Sequence, residues 1–244
     1  MPSIKDLRHP NNDIVRNIGI ARGDFKNDLD HVNKFGFSSS VGSSFQTVWD
    51  GNNIYTYPAT AGTVQITSGS GSDTGAVITV NGLDQDYNIA FEDITVGGAR
   101  GNVNFIRVYR AFVKTPASGQ TTNVGDITLL HTQSDSTDTT VAKILAGNGQ
   151  TLMAVYTVPA GYRAYILQFK GSLEKAKETI FQGVARPFGG AFRVQGVYGS
   201  AGSPVSYEYP VPLAFPAKTD FEVRVKAGAT TGASAIFDIL LEKL

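Results

Sequence analysis

Cysteine is missing from all 244 residues, which excludes disulfides and every metal site built on thiolate. Also missing is any run of ~18 apolar residues, the length a helix needs to cross a bilayer. The opening stretch, MPSIKDLRHPNND, carries no apolar core of the signal-peptide kind. A chain made and kept as a soluble protein is therefore expected, with no membrane partner. Neither sign of charge prevails, since 21 basic residues face 21 acidic ones. A dedicated nucleic-acid binder concentrates Lys and Arg to displace counterions from phosphate. Here the arginines are scattered through strand-like segments, so nucleic acid is not an expected partner.

Helix-forming composition is scarce as well. The Ala/Glu/Lys/Leu mixture of helical proteins is confined to SLEKAKETIF (172–181), the one stretch that reads as helical. Gly, Ser, Thr and Val fill the chain instead, with 27 glycines and 10 prolines, and this mixture predicts a mostly β protein. The length suits one large domain or two small ones, at roughly 100 to 150 residues each.

IYTYPATAG (54–62) is echoed by VYTVPAGYR (155–163), with Tyr, Thr, Pro and Ala in the same order. FQTVWDGN (45–52) precedes the first copy and VAKILAGN (141–148) the second, each an apolar run closed by a Gly-Asn turn signal. Further on, FIRVYRAFV (105–113) with GDITLL (125–130) parallels FEVRVKAGA (221–229) with FDILLEKL (237–244). The spacing between elements varies while their order holds, as surface loops permit. Two explanations compete: an old duplication, or convergence of β-rich chains on the same residue types.

The duplication predicts an all-β fold of two tandem antiparallel β-sandwich units, jelly-roll-like, preceded by an extended N-terminal arm. The arm spans 1–34, the first sandwich 35–133 and the second 140–244. AVITVNGL (76–83) and FEDITVGG (91–98) flank DQDYN and form a predicted hairpin. Along YRAYILQFKGS (162–172), Ala164, Ile166 and Gln168 share one face, and Tyr165, Leu167 and Phe169 the other. A strand apolar on both sides lies between two layers or under a neighbouring subunit. Pro58 and Pro159 should end their strands, because proline cannot donate to a ladder.

The arm mixes both signs of charge with isolated aliphatics and shows no sustained period. It reads either as a frayed terminus or as a docking arm anchored by Ile14, Val15, Ile18 and Ile20.

Reaction chemistry finds little support. His9, His31 and His131 lie in polar, loop-like or terminal surroundings without ligand spacing, and no Gly-x-Ser-x-Gly elbow opens a helix. Paired carboxylates for glycoside hydrolysis could be drawn from Asp84, Asp86, Glu92 and Asp93. The first two belong to a turn, however, and the other two adjoin on a strand and face opposite ways. The tripeptide at Arg22 to Asp24 is a chance match to an integrin motif. GSGSDTG (69–75) and SDSTDTT (134–140) read as loops, lacking the ligand pattern of a calcium site. Trp49, Tyr55 and Tyr57 form either a stacking platform for a glycan or core packing at a strand turn. No enzymatic activity, metal or other cofactor is expected.

AVITVNGLDQDYNIAFEDITVGG (76–98) runs from a strand into Gly-Leu-Asp, a Tyr-Asn turn, and a Glu-containing strand ending in glycine. It resembles a pattern in uncharacterised virion structural proteins of marine tailed bacteriophages. The resemblance extends through KFGFSSSVGSSFQTVWDGNNIYTYP, FIRVYRAFV, YTVPAGYRAYI, ARPFGGAF and KTDFEVRVKA, and so covers most of the chain. It implies a place in the virion, reached after synthesis in the host cytoplasm, and carries over no functional residue. With the apolar strand faces and the arm, it leads to a non-enzymatic structural subunit, first of all a head decoration or cement protein. The alternatives are a neck, tail-adaptor or fibre-anchoring ring protein, and a receptor- or glycan-binding module of a fibre. The expected partners are further copies of the chain and other virion proteins such as the major capsid protein.

Overall fold

The computed structural model describes residues 13–132 and 138–244, with side chains from residue 17 onward. After a helix, α1 (Asp13–Arg22), come β1 (Leu29–Val41) and β2 (Gln46–Thr47). Six strands follow: β3 (Val64–Ser68), β4 (Val77–Asp84), β5 (Ile89–Thr95), β6 (Phe105–Thr115), β7 (Ile127–Thr132) and β8 (Asp138–Ile144). Seven more run from β9 (Val155–Thr157) and β10 (Tyr162–Leu173) through β11 (Glu178–Arg186) and β12 (Arg193–Ala201). They continue with β13 (Val205–Phe215) and β14 (Asp220–Ala227) to β15 (Thr231–Lys243). The protein is all-β in its sheets, and the strands pair antiparallel to form β-sandwiches.

One sandwich sets the sheet β3-β7-β8 against β5-β4-β6, around a core that includes Ile66, Ile78, Phe105 and Leu129. The other sets β1-β15-β10-β13 against β12-β11-β14-β2, around Phe169, Phe181, Val225 and Ile239. With the short β9 set aside, the eight strands of this second sandwich pair first with last, second with seventh, third with sixth and fourth with fifth. That nested order is a jelly roll, a folded-over hairpin rolled into two sheets.

The pairing changes the expected boundaries. Residues 29–41, assigned partly to the arm and partly to the first unit, form β1 and pair along β15 from Leu29↔Glu242 to Val41↔Thr231. β8, which was expected to span the linker and the start of the second unit, pairs with β7. The smaller sandwich is thus inserted between the second and third strands of the jelly roll. No local signal in residues 29–41 announces a partner about two hundred positions away.

The insertion places the echoed stretches near its two ends. The segments around residues 48–63 and 145–158 are the two passages of chain between the sandwiches. They run against each other, with the bridge Trp49↔Met153 and Ala154 N–H donating to Val48 C=O at 2.9 Å. Neighbouring side chains there alternate between the two cores. Trp49, Met153 and Val155 enter the inserted sandwich, and Val48, Ala154 and Tyr156 enter the jelly roll. Gly36 of β1 faces this crossing, and a Cβ on it would lie 2.2 Å from Val48 O and 2.3 Å from Ala154 N. The echoed tyrosines occupy unlike settings: Tyr55 lies in irregular chain, whereas Tyr156 sits in β9 paired with β14.

Two local readings are corrected. SLEKAKETIF is the end of β10, a turn crossing from one sheet to the other, and the start of β11, not a helix; the ladders of the two sheets claim both ends of the stretch. The helix lies instead in the arm. It ends at Gly23 (φ +77°), with Gly23 N–H on Ile20 C=O and Asp24 N–H on Gly19 C=O, a Schellman stop. Arg22, Gly23 and Asp24 are this stop, and Arg22 pairs with Asp24 at 2.9 Å.

Candidate assembly surface

β12 and β13 are the outermost strands of the two jelly-roll sheets at one side. Apolar side chains on these two strands are left in solvent: Val194, Val197, Tyr207 and Val211 are 51, 57, 45 and 80% exposed, Tyr207 at the sheet edge directly across from Phe169. Behind them Phe169 stacks on Tyr198 at 4.8 Å, Tyr198 approaches Tyr207 at 5.7 Å, and Tyr207 meets Tyr209 at 4.9 Å. A small apolar cleft of about 50 Å³, lined by Phe169, Tyr198, Leu213 and Phe215 among others, marks where the core reaches the surface. Pro210 and Pro212 interrupt β13 and block strand addition there. β12 has no proline and a single charge, Arg193, so its edge stands open to another strand.

The greasy strand β10 behaves differently from expectation. A bulge between Ile166 and Gln168 shifts its register against β15, inserting one residue and reversing the faces beyond it. Phe169 therefore enters the core, while Tyr165, Leu167 and Gln168 remain half-buried on the outer face. On that face Asp238 accepts from Asn33 at 2.6 Å and from Gln168, with His31 Nε2 at 3.2 Å. Burial opposes its ionisation, but the hydrogen bonds from His31, Asn33 and Gln168 outweigh it and hold Asp238 down to about 2. The same contact raises His31. A cavity of about 370 Å³ separates this face from α1, with Ile20 and Ala21 above and Leu167, Asp238 and Leu240 below. Of the arm anchors, Ile20 faces this cavity, Ile18 is exposed, and the side chains of Ile14 and Val15 lie outside the described residues.

The aromatic trio offers no glycan platform. Trp49 and Tyr55 are buried in the core of the inserted sandwich, and Tyr55 Oη stands 3.1 Å from both Val108 O and Val141 O. Tyr57 is covered by cations, with Arg186 at 4.8 Å and Arg107 at 5.2 Å from its ring. It packs at the seam between the sandwiches, where its hydroxyl donates to Phe221 C=O at 3.2 Å.

That seam holds a charge network the sequence reading missed. Buried Arg107 of β6 makes a two-pronged contact with buried Asp220 of β14, at 2.8 and 3.1 Å, and donates to Pro58 C=O at 2.9 Å. Arg186 donates to the same carboxylate at 2.6 and 3.0 Å, and the Thr157 hydroxyl donates to it at 2.6 Å. Beside it Glu222 accepts from Thr47 at 3.2 Å and from Arg224; burial raises its pKa against the pull of Arg224. Arg107 within the apolar run FIRV was the available signal, since such a run is buried and a buried guanidinium needs a partner.

Hydrogen bonds of the fold hold the candidate carboxylates and His131. Asp84 accepts from Asp86 N–H and Asn88 N–H at 2.9 Å each, closing the predicted hairpin loop. Glu92 accepts from Asn102 N–H at 2.6 Å, while Asp93 on the opposite face accepts from Thr79 at 2.6 Å. His131 lies not in a loop but on β7, buried beside Ile127 and Leu129 on one alternating face. Its Nε2 donates to Phe105 C=O at 2.7 Å, and burial lowers its pKa. GSGSDTG closes on buried Asp73, which accepts from Val124 N–H at 2.7 Å and Gly125 N–H at 2.8 Å. Residues 133–137 of the second loop lie outside the described residues, as does His9. Among the described residues no three His, Asp or Glu side chains gather as metal ligands, and no helix is long and apolar enough to cross a membrane.

No family model and no curated protein matches the chain. Among solved structures, the mitogen derived from Yersinia pseudotuberculosis matches at 11% identity over 34% of this chain and 80% of its own, with a TM-score of 0.21. The structure of the infectious bursal disease virus Gt strain matches at 10% identity over 88% and 72%, with 0.25. The T=1 particles derived from infectious bursal virus match at 9% over 88% and 70%, with 0.26. Likenesses this slight carry no argument about fold or function.

Proposed function

We propose that the chain is a non-enzymatic structural protein of a virion, in first place a head decoration or cement subunit of a tailed phage. The observation that carries this reading is the uncovered apolar side of the jelly roll at β12–β13, with Val194, Val197, Tyr207 and Val211 in solvent. Exposed apolar clusters on a folded domain mark sites that another protein buries. Jelly rolls recur in viral shells, although the same fold serves lectins and cupins, so the fold supports the reading only by analogy. The sequence resemblance to structural proteins of marine tailed phages supports it independently. A glycan-binding role loses its aromatic platform, because Trp49 and Tyr55 are buried.

Quantitative mass spectrometry of purified particles tests the proposal. Copy numbers in the hundreds place the chain on the shell, and about six to twelve copies place it in a neck or tail ring. Absence from the particle overturns the virion reading.

A further inference from the structure

A cavity of about 280 Å³ opens where β1 passes β4 and β6. Its polar lining includes His31, Asn33, Lys34, Asn81, Arg110 and Thr151, and among the described residues no carboxylate lines it. His31, Asn33 and Arg110 are exposed at the rim, whereas Lys34 and Thr151 are buried.

Lys34 sets the chemistry. Its side chain is carried inward from the outermost strand of a jelly-roll sheet, leaving the residue 6% exposed. Its Nζ donates to Tyr109 C=O and stands 5.8 Å from the Tyr109 ring centroid. Among the described residues no acidic side chain pairs with it. A buried ammonium without a counter-charge is costly, and Arg110 adds a second positive charge nearby. One Arg110 nitrogen donates to Gln150 at 3.0 Å, which leaves other guanidinium N–H groups uncommitted among the described residues. Thr151 accepts from Ala111 N–H at 3.2 Å and keeps its own proton to donate. The carboxylates that bear on this region are Asp30, which acts on His31 and on Tyr109, and Asp238, which is engaged by His31, Asn33 and Gln168 on the outer face.

We propose that this cavity binds a small free oxyanion, phosphate or carboxylate, held between Lys34 Nζ and the Arg110 guanidinium, with Asn81 and Thr151 as neutral donors. The anion supplies the counter-charge that the fold withholds. Burial, with Arg110 as a second cause, pushes the Lys34 ammonium down to about 7, so the empty cavity holds a largely neutral amine above neutrality. An entering anion favours the charged form and draws a proton onto Nζ.

Isothermal titration calorimetry of the purified full chain tests this, with inorganic phosphate and sodium acetate as separate probes. Near pH 8.5 acetate is ionised and phosphate is almost wholly the hydrogen-phosphate dianion, so proton uptake, read from buffers of different ionisation enthalpy, belongs to the protein. Saturable binding of either probe with proton uptake is expected; phosphate alone, acetate alone, or both then define which oxyanion is preferred. Lys34→Met should abolish binding, and Arg110→Gln, at the exposed rim, should weaken it about fivefold or more. Circular dichroism checks that Lys34→Met is folded, and if it is not, Arg110→Gln decides. No binding by the parent chain, undiminished binding by folded Lys34→Met, or unchanged affinity in Arg110→Gln overturns the proposal.

Discussion

Asp220 meets two guanidinium groups and the Thr157 hydroxyl, so its removal leaves Arg107 buried without a counter-charge. Asp220→Ala should cost about 3–5 kcal/mol, read from the urea midpoint at unchanged slope; a loss below about 1 kcal/mol would contradict the placement of the network. Asp50 supplies a pH signature. It is buried at the crossing, accepts from Leu152 N–H at 2.8 Å through Oδ2, and leaves Oδ1 without a partner among the described residues. Burial raises it from 3.8 to about 7, against the hydrogen bond from Leu152. Because the folded value lies above the unfolded one, the stability it permits is full below about pH 4 and falls as pH rises to about 7. Lys34 runs the opposite way, its penalty being full below about 7 and lifting toward 10.5. Asp50→Asn should therefore stabilise the protein at about pH 8 by at least about 1 kcal/mol and change little near pH 4. Equal stability of the two proteins at pH 8 would refute that assignment.

At the scale of elements, alternation was the readable signal. It located β4, β5 and their hairpin, and the face that Ala164 and Ile166 share in β10. It failed at the bulge before Gln168, because one inserted residue reverses every later side chain without altering composition. It failed again at β1, whose partner is the last strand of the chain. The assembly surface was half legible: apolar residues on both faces of a strand predicted something to be covered, yet the exposed cluster lies on β12 and β13 rather than β10. Two substitutions separate these cases. Phe169→Asp puts a charge into the core and should unfold the jelly roll, whereas Val197→Asp on β12 should leave the melting temperature nearly unchanged. Similar melting temperatures for the two would deny the bulge. Truncation gives a further check at this scale. Removing residues 1–22 takes away α1 and should leave the sheets folded, while removing 1–41 also strips β1 from β15 and should unfold the jelly roll. A large fall in melting temperature on the shorter cut would make the arm part of the core.

For the whole molecule, the two passages between sandwiches share side chains between two cores, and the Arg107–Asp220–Arg186 network closes the seam. Such a body presents its surfaces in fixed relation, as a repeating subunit must. Balanced charge leaves little long-range steering for salt to screen, so association should rest on apolar area at about 25 cal/mol per Å² before ordering costs. Sedimentation velocity of the purified full chain and of Val197→Asp, over a range of concentrations at low and high salt, tests this most directly. The prediction is concentration-dependent association of the parent chain that salt barely alters and Val197→Asp abolishes while remaining folded. A parent chain that stays monomeric throughout, or an association that dissolves as salt rises, would contradict assembly through the apolar side of the jelly roll.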